Sequence, residues 1–100
     1  MKIKLYNTNV PGARFEIQWG NNNKTPAFQL EAGAMGVLDL DFSYNIPEGA
    51  ECRVYAWQQT TGRAAVSAKG FKHFNRPGVA GVFKICASGL SLALLYSGMQ

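Results

Sequence analysis

Acidic side chains are almost absent from the second half of this chain. The 100 residues include ten Lys+Arg and six Asp+Glu, and no carboxylate side chain follows Glu51. The formal net charge of +4 divides into −1 over residues 1–50 and +5 over residues 51–100. Charged residues make up 16% of the chain, below the roughly 25% of an ordinary soluble domain. The excess positive charge therefore lies in the second half of the chain, and this suggests an anionic partner as the first hypothesis.

Long apolar runs, an export signal and the common catalytic motifs are also missing. No run approaches the ~18 apolar residues that a membrane-spanning helix needs. Residues 1–6 have neither the apolar stretch nor the cleavage site of a signal peptide, so we expect a cytoplasmic protein or a mature secreted chain. A single His and the absence of GxSxG, HExxH, P-loop and GxGxxG patterns predict a protein that is not an enzyme and has no metal or cofactor.

The two cysteines leave two interpretations open. Cys52 and Cys86 are 34 positions apart and neither belongs to a CxxC pair, which leaves a zinc site without support. Because no export signal is visible, two buried thiols are the favoured interpretation. The alternative is a disulfide, which would stabilise the fold by roughly 3–4 kcal/mol for a loop of this length.

What the chain does contain is a series of short stretches in which apolar and polar residues alternate. Clear examples are Ile3–Leu5, Phe15–Trp19 and Cys52–Trp57, and Gly, Pro and Asn mark turns every eight to fourteen residues. A period of two between turn residues is typical of strands. We therefore predict one all-β domain over residues 1–100, a small antiparallel β-sandwich or compact barrel of seven or eight short strands. The uncharged stretch at 88–99 also fits a strand better than a helix.

A weak internal repeat favours a Greek-key arrangement. Lys4-Leu5-Tyr6 followed by Gly12 recurs, 49 to 50 residues later, as Arg53-Val54-Tyr55 followed by Gly62. The second copy resembles the start of a βγ-crystallin motif, in which an aromatic residue precedes a glycine. Six residues lie between Tyr55 and Gly62, and five between the corresponding residues of the first copy. The resemblance implies two Greek keys of about 50 residues each.

The strongest candidate for a binding surface is the basic segment in the second half. Its candidate ligand-binding residues are Arg63, Lys69, Lys72, His73, Arg76 and Phe74, with Lys84 and Phe71 nearby. Lysine and arginine neutralise phosphates, and aromatic rings stack on bases or lie at a lipid interface. The alternative is that the rings are core and the cations ordinary solvated positions. Phe71 and Phe74 cannot share a face of a regular strand, so at least one is expected in the core.

A second candidate is the stripe formed by Arg53, Tyr55 and Trp57. These residues alternate with Cys52, Val54 and Ala56 and therefore share one face of a strand. An exposed face of this composition would stack on sugars, bases or another protein. The favoured alternative is that Tyr55 and Trp57 are buried and the small residues are covered by another layer.

Charge is absent from the last sixteen residues, Ile85 to Gln100. Two uncharged strands fit a buried central hairpin. They also fit a sheet edge that pairs with a second copy, giving a homo-oligomer, because no Lys, Glu or Pro is present to protect such an edge.

These patterns predict a non-catalytic binding module. Its basic second half would face an anionic partner, either nucleic acid or phospholipid. One alternative is a lectin-like or toxin-like defence protein that binds a glycan or a membrane through Tyr55, Trp57 and the polar loop 20–26. A second alternative is a small structural subunit of an oligomeric assembly.

Overall fold

The computed structural model describes residues 1–40, 44–66, 70–74, 78–88 and 91–96. Over these ranges the chain is all-β, as predicted, with ten strands and no helix. The strands are β1 Lys2–Asn7, β2 Ala13–Trp19, β3 Asn23–Lys24, β4 Phe28–Leu30, β5 Met35–Asp39, β6 Glu51–Gln58, β7 Ala64–Val66, β8 Phe71–Lys72, β9 Val79–Ser88 and β10 Ser91–Tyr96. The described residues form ten strands, whereas seven or eight were predicted. Two of the ten, β3 and β8, contain only two residues each. A search of the same ranges for a helix that could cross a membrane finds none.

The strands form two sheets, and neither closes on itself among the described strands. Sheet A has four strands in the order β10-β9-β1-β5. Sheet B is built around the antiparallel pair β2 and β6, which are matched over seven positions from Ala13↔Gln58 to Trp19↔Cys52. On the edge of β2 away from β6, two short strands, β3 and β4, pair with successive parts of β2. On the edge of β6 away from β2, β7 and β8 pair with successive parts of β6. Gly70 lies between β7 and β8, which share β6 as their partner.

One strand pair contradicts the prediction of an antiparallel fold. β1 runs antiparallel to β5 but parallel to β9, with Lys4 opposite Val82 and Tyr6 opposite Lys84. Parallel neighbours need a long connection, and here residues 8–78 provide one. Local alternation of apolar and polar residues shows where a strand is. It carries no information on the direction of a partner this far away.

Both sheets contribute to one cluster of buried side chains. β1 contributes Ile3 and Leu5, β2 contributes Phe15 and Ile17, and β9 contributes Phe83, all at most 1% exposed. The other members are Val10, Ala13, Leu40, Ile46, Cys52, Val54, Ala56, Ile85 and Leu94. The ring of Phe83 lies 6.0 Å from that of Phe71 and 5.2 Å from that of Tyr96, centroid to centroid. The alternating apolar residues of β1, β2 and β6 therefore face inward.

A buried asparagine organises the turn that follows β1. Asn7 is 0% exposed, and its Nδ2 donates to the carbonyls of Val10 and Leu30, each at 2.8 Å. Its Oδ1 accepts from the Val10 N–H at 2.9 Å. This side chain turns the chain toward β2 and also ties the turn to the end of β4. Asparagine favours such local bonds to the backbone, which is why the sequence predicts a turn here.

The C-terminal strand is confirmed, but it is not the centre of a buried hairpin. β9 and β10 pair antiparallel, and β10 is the edge strand of sheet A. Leu95 on this edge is 53% exposed, and the ring of Tyr96 lies across Gly81, where an added Cβ would be 2.6 Å from Tyr96 Cε1. Self-pairing of β10 stays a prediction, to be checked by sizing the protein over a range of concentrations.

The sequence repeat is not matched by a repeat in strand pairing. Gly12 and Gly62 each follow their strand with a positive φ, of 67° and 74°, a conformation that glycine adopts without strain. The first copy, on β1, leads into a strand of the other sheet. The second copy, on β6, leads into the antiparallel hairpin β6–β7. The two halves share a local turn pattern and differ in what the turn connects.

Candidate functional site

Of the candidate cations in the basic segment, the structure describes Arg63 and Lys72, and these two lie near opposite ends of β6. Lys72 on β8 is opposite Glu51 at the start of β6. Arg63 lies beyond the other end of β6, where its carbonyl accepts from the Gln58 N–H at 2.8 Å. Seven residues of strand separate these two ends, roughly 23 Å at 3.3 Å per residue. Lys69 and Arg76 lie outside the described residues.

The remaining residues of that segment point mainly inward. His73 is 1% exposed. Its backbone is bound to the turn before β6. The His73 N–H donates to the Ala50 carbonyl at 2.9 Å, and the Gly49 N–H donates to the His73 carbonyl at 2.6 Å. Phe71 is half-buried and packs against the core, and Phe74 is also half-buried. A buried imidazole is not in contact with solvent, so His73 is not part of an exposed binding surface in this conformation.

Three described lysines lie instead on the outer face of sheet A. Ile3 and Leu5 point into the core, so Lys2, Lys4 and Tyr6 point outward on β1. The parallel register with β9 places Lys84 beside Tyr6, with Lys84 Nζ 5.9 Å from the centroid of the Tyr6 ring. We call the outward residues of sheet A the cationic face; its members are Lys2, Lys4, Tyr6, Met35, Val37, Asp39, Val82, Lys84 and Leu95.

Exposed aliphatic side chains lie directly beside these lysines. Met35 is opposite Tyr6 and 59% exposed, and Val37 is opposite Lys4 and 58% exposed. Lys4, Tyr6, Met35, Val82 and Lys84 line a shallow depression of about 320 Å³. The large apolar side chains that the structure exposes most, among the residues it describes, are Met35, Val37 and Leu95, and all three belong to the cationic face. This combination of cations and aliphatic groups suits a surface that is both anionic and apolar.

Lys2 and Lys4 were missed as site residues at the level of sequence. Their alternation with Ile3 and Leu5 already indicated one outward face. However, they belong to the half of the chain whose charges balance. Only the pairing of β1 with β9 brings Lys4 near Lys84 from the basic half.

The stripe of Arg53, Tyr55 and Trp57 lies on the outer face of sheet B. Cys52, Val54 and Ala56 are 0% exposed, so the interpretation in which Tyr55 and Trp57 form the core is wrong. The small residues belong to the buried cluster, while the larger ones face away from it. Arg53 is exposed, and Tyr55 and Trp57 are half-buried with ring centroids 5.5 Å apart and planes tilted by 38°.

Polar side chains of β2 lie across from this stripe. The register pairs Arg14 with Trp57, Glu16 with Tyr55 and Gln18 with Arg53. Glu16 is 6% exposed although it lies on the outer face, and its Oε2 accepts from Gln18 Nε2 at 3.2 Å. The outer face of sheet B therefore combines aromatic rings and hydrogen-bonding groups with the cations Arg14 and Arg53, whereas that of sheet A combines cations with exposed aliphatic side chains.

Both cysteines are free thiols, so the disulfide alternative is wrong. Cys52 is fully buried, and its Sγ donates to the Ala50 carbonyl at 3.6 Å. Burial, and then the charge of Glu51, raise the pKa of Cys52 to about 11. Cys86 is half-buried. Because the thiolate is the reactive form, Cys52 is in an unreactive setting.

We expect the buried thiol to make the protein less stable at high pH. The pKa of Cys52 is about 11 in the folded protein and 9.0 for a free thiol, so between these values the unfolded state loses the proton first. The free energy of unfolding therefore falls as pH rises from about 9 to about 11. Urea unfolding across this window should show a smaller fall in a Cys52→Ala variant than in Cys86→Ala. Equal falls in the two variants would contradict this assignment.

Comparison of the chain with protein-family models, curated proteins and solved structures finds no match.

Proposed function

We propose that this protein is a non-catalytic binding module whose cationic face docks on an anionic phospholipid surface. The observation that carries the proposal is that Lys4 and Lys84 lie beside the exposed Met35 and Val37, with Lys2 further along β1 on the same face. A lysine near an anionic bilayer contributes about 1 kcal/mol of attraction. Aliphatic side chains add to this when they enter the headgroup region, because apolar area leaves water.

A lipid surface fits this face better than nucleic acid does. Proteins that bind single strands use aromatic rings as stacking platforms, and the one aromatic residue on the cationic face, Tyr6, already has Lys84 over its ring. Met35, Val37 and Leu95 offer no π-face to a base and no hydrogen bond to a phosphate. They do offer apolar area for acyl chains.

The surface proposed here differs in place from the one predicted from the basic segment. Lys84 is common to both. Arg63 and Lys72 lie at opposite ends of β6 in sheet B, and a shared planar ligand would have to span that strand to contact both. The partner class, an anionic ligand, is retained.

We further infer that the two sheets pack face to face as an open sandwich. This is supported by the single buried cluster, which takes residues from β1, β9 and β10 of sheet A and from β2 and β6 of sheet B. In such a sandwich the outer faces of the two sheets point in opposite directions. A ligand on the cationic face would then leave the outer face of sheet B accessible.

Co-sedimentation with vesicles tests the proposed function. We expect the protein to bind vesicles of phosphatidylcholine that contain about 30% phosphatidylserine, and to bind less as salt screens the charges. Vesicles of phosphatidylcholine alone are the control and should retain little protein. Equal retention on both vesicles would contradict the proposal. Binding to a DNA or RNA oligonucleotide without binding to anionic vesicles would also contradict it.

A further inference from the structure

The hairpin between β2 and β3 encloses a second concave surface, separate from the cationic face. Gln18, Gly20, Asn21, Asn22, Asn23 and Lys24 line a depression of about 300 Å³. Gly20 has a φ of +63°, and an added Cβ would lie 2.8 Å from Asn23 Nδ2. Glycine therefore allows both the turn and the close approach of the Asn23 amide to the backbone.

The lining of this depression is rich in amides and carries one charge. Gln18, Asn21, Asn22 and Asn23 each supply a carbonyl acceptor and an NH2 donor. A sugar hydroxyl also donates and accepts, so this lining matches a neutral, hydroxyl-rich ligand. An anionic ligand would have only Lys24 to pair with inside the depression.

The aromatic stripe of sheet B begins beside Gln18, which lines the depression. Gln18 on β2 is paired with Lys24 of β3 on one side and with Arg53 of β6 on the other. Tyr55 and Trp57 follow Arg53 on the same face of β6. At about 3.3 Å per residue, these two ring-bearing positions are roughly 7 Å and 13 Å from Arg53 along the strand. Half-buried Tyr and Trp present a rigid apolar surface with a polar tip, which suits the C–H face of a pyranose ring.

We propose that the hairpin depression and the Tyr55–Trp57 pair together form a binding site for a neutral pyranose oligosaccharide. The amides bind hydroxyl groups of one unit, and the two rings pack against the units that follow. Glu16 helps to orient this site, because its buried carboxylate accepts from Gln18 Nε2 and so fixes the amide at the edge of the depression. The proposal does not depend on phospholipid binding, since it uses the other sheet.

The experiment is binding to immobilised neutral oligosaccharides of glucose, galactose, mannose and N-acetylglucosamine at high salt. We expect the protein to bind at least one of them, and to bind it equally well at low salt, because the contacts are uncharged. Failure to bind any of them would overturn the proposal. So would binding that disappears as salt is raised.

Two variants then test the location of the site. Trp57→Ala and Asn22→Ala are each expected to weaken binding of the selected oligosaccharide by roughly tenfold or more. The matched control is Asn45→Ala, which removes an exposed amide elsewhere and should bind as the unmodified protein does. If Trp57→Ala fails to fold, Asn22→Ala in the exposed turn decides the matter. Equal affinities of Asn22→Ala and Asn45→Ala would overturn the assignment of the depression.

Discussion

Replacing Lys4 and Lys84 together by glutamine is expected to weaken binding to anionic vesicles by about 30-fold. The estimate follows from about 1 kcal/mol for each lysine near the membrane surface, about 2 kcal/mol in total. Both residues lie on the central strands of sheet A and line the same depression, so both face the bilayer in the docked state. Glutamine is shorter than lysine but is also unbranched and polar, so at these surface positions the change mainly removes charge.

The matched control is the double variant Arg63→Gln and Lys72→Gln. It lowers the net charge from +4 by the same two units but changes residues at the two ends of β6 in sheet B. We expect it to bind anionic vesicles within a few-fold of the unmodified protein. If this variant loses more binding than Lys4→Gln with Lys84→Gln, the surface predicted from the basic segment is correct and the cationic face is not the docking site.

Asn7→Ala is expected to lower the free energy of unfolding by about 3 kcal/mol or more. The variant removes three side-chain hydrogen bonds at a position that is 0% exposed. It leaves the N–H and carbonyl of Val10 and the carbonyl of Leu30 without this partner, and each buried unsatisfied group costs about 1–3 kcal/mol. A domain of this size has a total stability of about 5–15 kcal/mol, so the variant loses a large part of it.

Asn9→Ala provides the comparison, because it removes the same amide two residues away on the exposed side of the turn. Asn9 Oδ1 accepts from the Ala87 N–H at 2.8 Å, and Asn9 Nδ2 donates to the Ala87 carbonyl at 3.4 Å. Water replaces such exposed bonds, so we expect a loss of about 1 kcal/mol or less. Urea unfolding of both variants measures the difference. Similar losses for the two would show that the burial of Asn7 does not increase the contribution of its hydrogen bonds to the free energy of unfolding.

The strands themselves were predictable, because their inward residues alternate with polar ones. Alternation correctly separated Ile3 and Leu5 from Lys2 and Lys4, and Phe15 and Ile17 from their neighbours. It failed on β6, where both faces contain residues that are suitable for burial. Small Cys52, Val54 and Ala56 form the inner face there, and no local signal distinguishes that from the opposite arrangement. The choice depends on which face of β6 packs against the buried side chains of β1, β2 and β9, which is a tertiary property.

The candidate site was harder to predict than the strands. A count of charges along the chain treats neighbours in sequence as neighbours in space, and the pairing of β1 with β9 breaks that assumption. Lys4 belongs to the balanced half of the sequence and Lys84 to the basic half, yet they line one depression. Conversely, Arg63 and Lys72 are nine positions apart in sequence and lie beyond opposite ends of a long strand. The sequence named the polar loop 20–26 as part of a glycan-binding alternative, but it did not predict the depression, whose shape depends on how Asn23 folds back over Gly20.

The position of β1 between β5 and β9 also affects how this protein folds during synthesis. β1 leaves the ribosome well before its parallel neighbour Val79–Ser88. Sheet A therefore cannot form on both sides of β1 until β9 has been made. Pairing over so long a separation in sequence is slow, because a large loop must close before any contact is gained. Until then the edge of β1 that pairs with β9 has unpaired backbone N–H and C=O groups, and a nascent chain that stalls after β6 exposes this edge to aggregation.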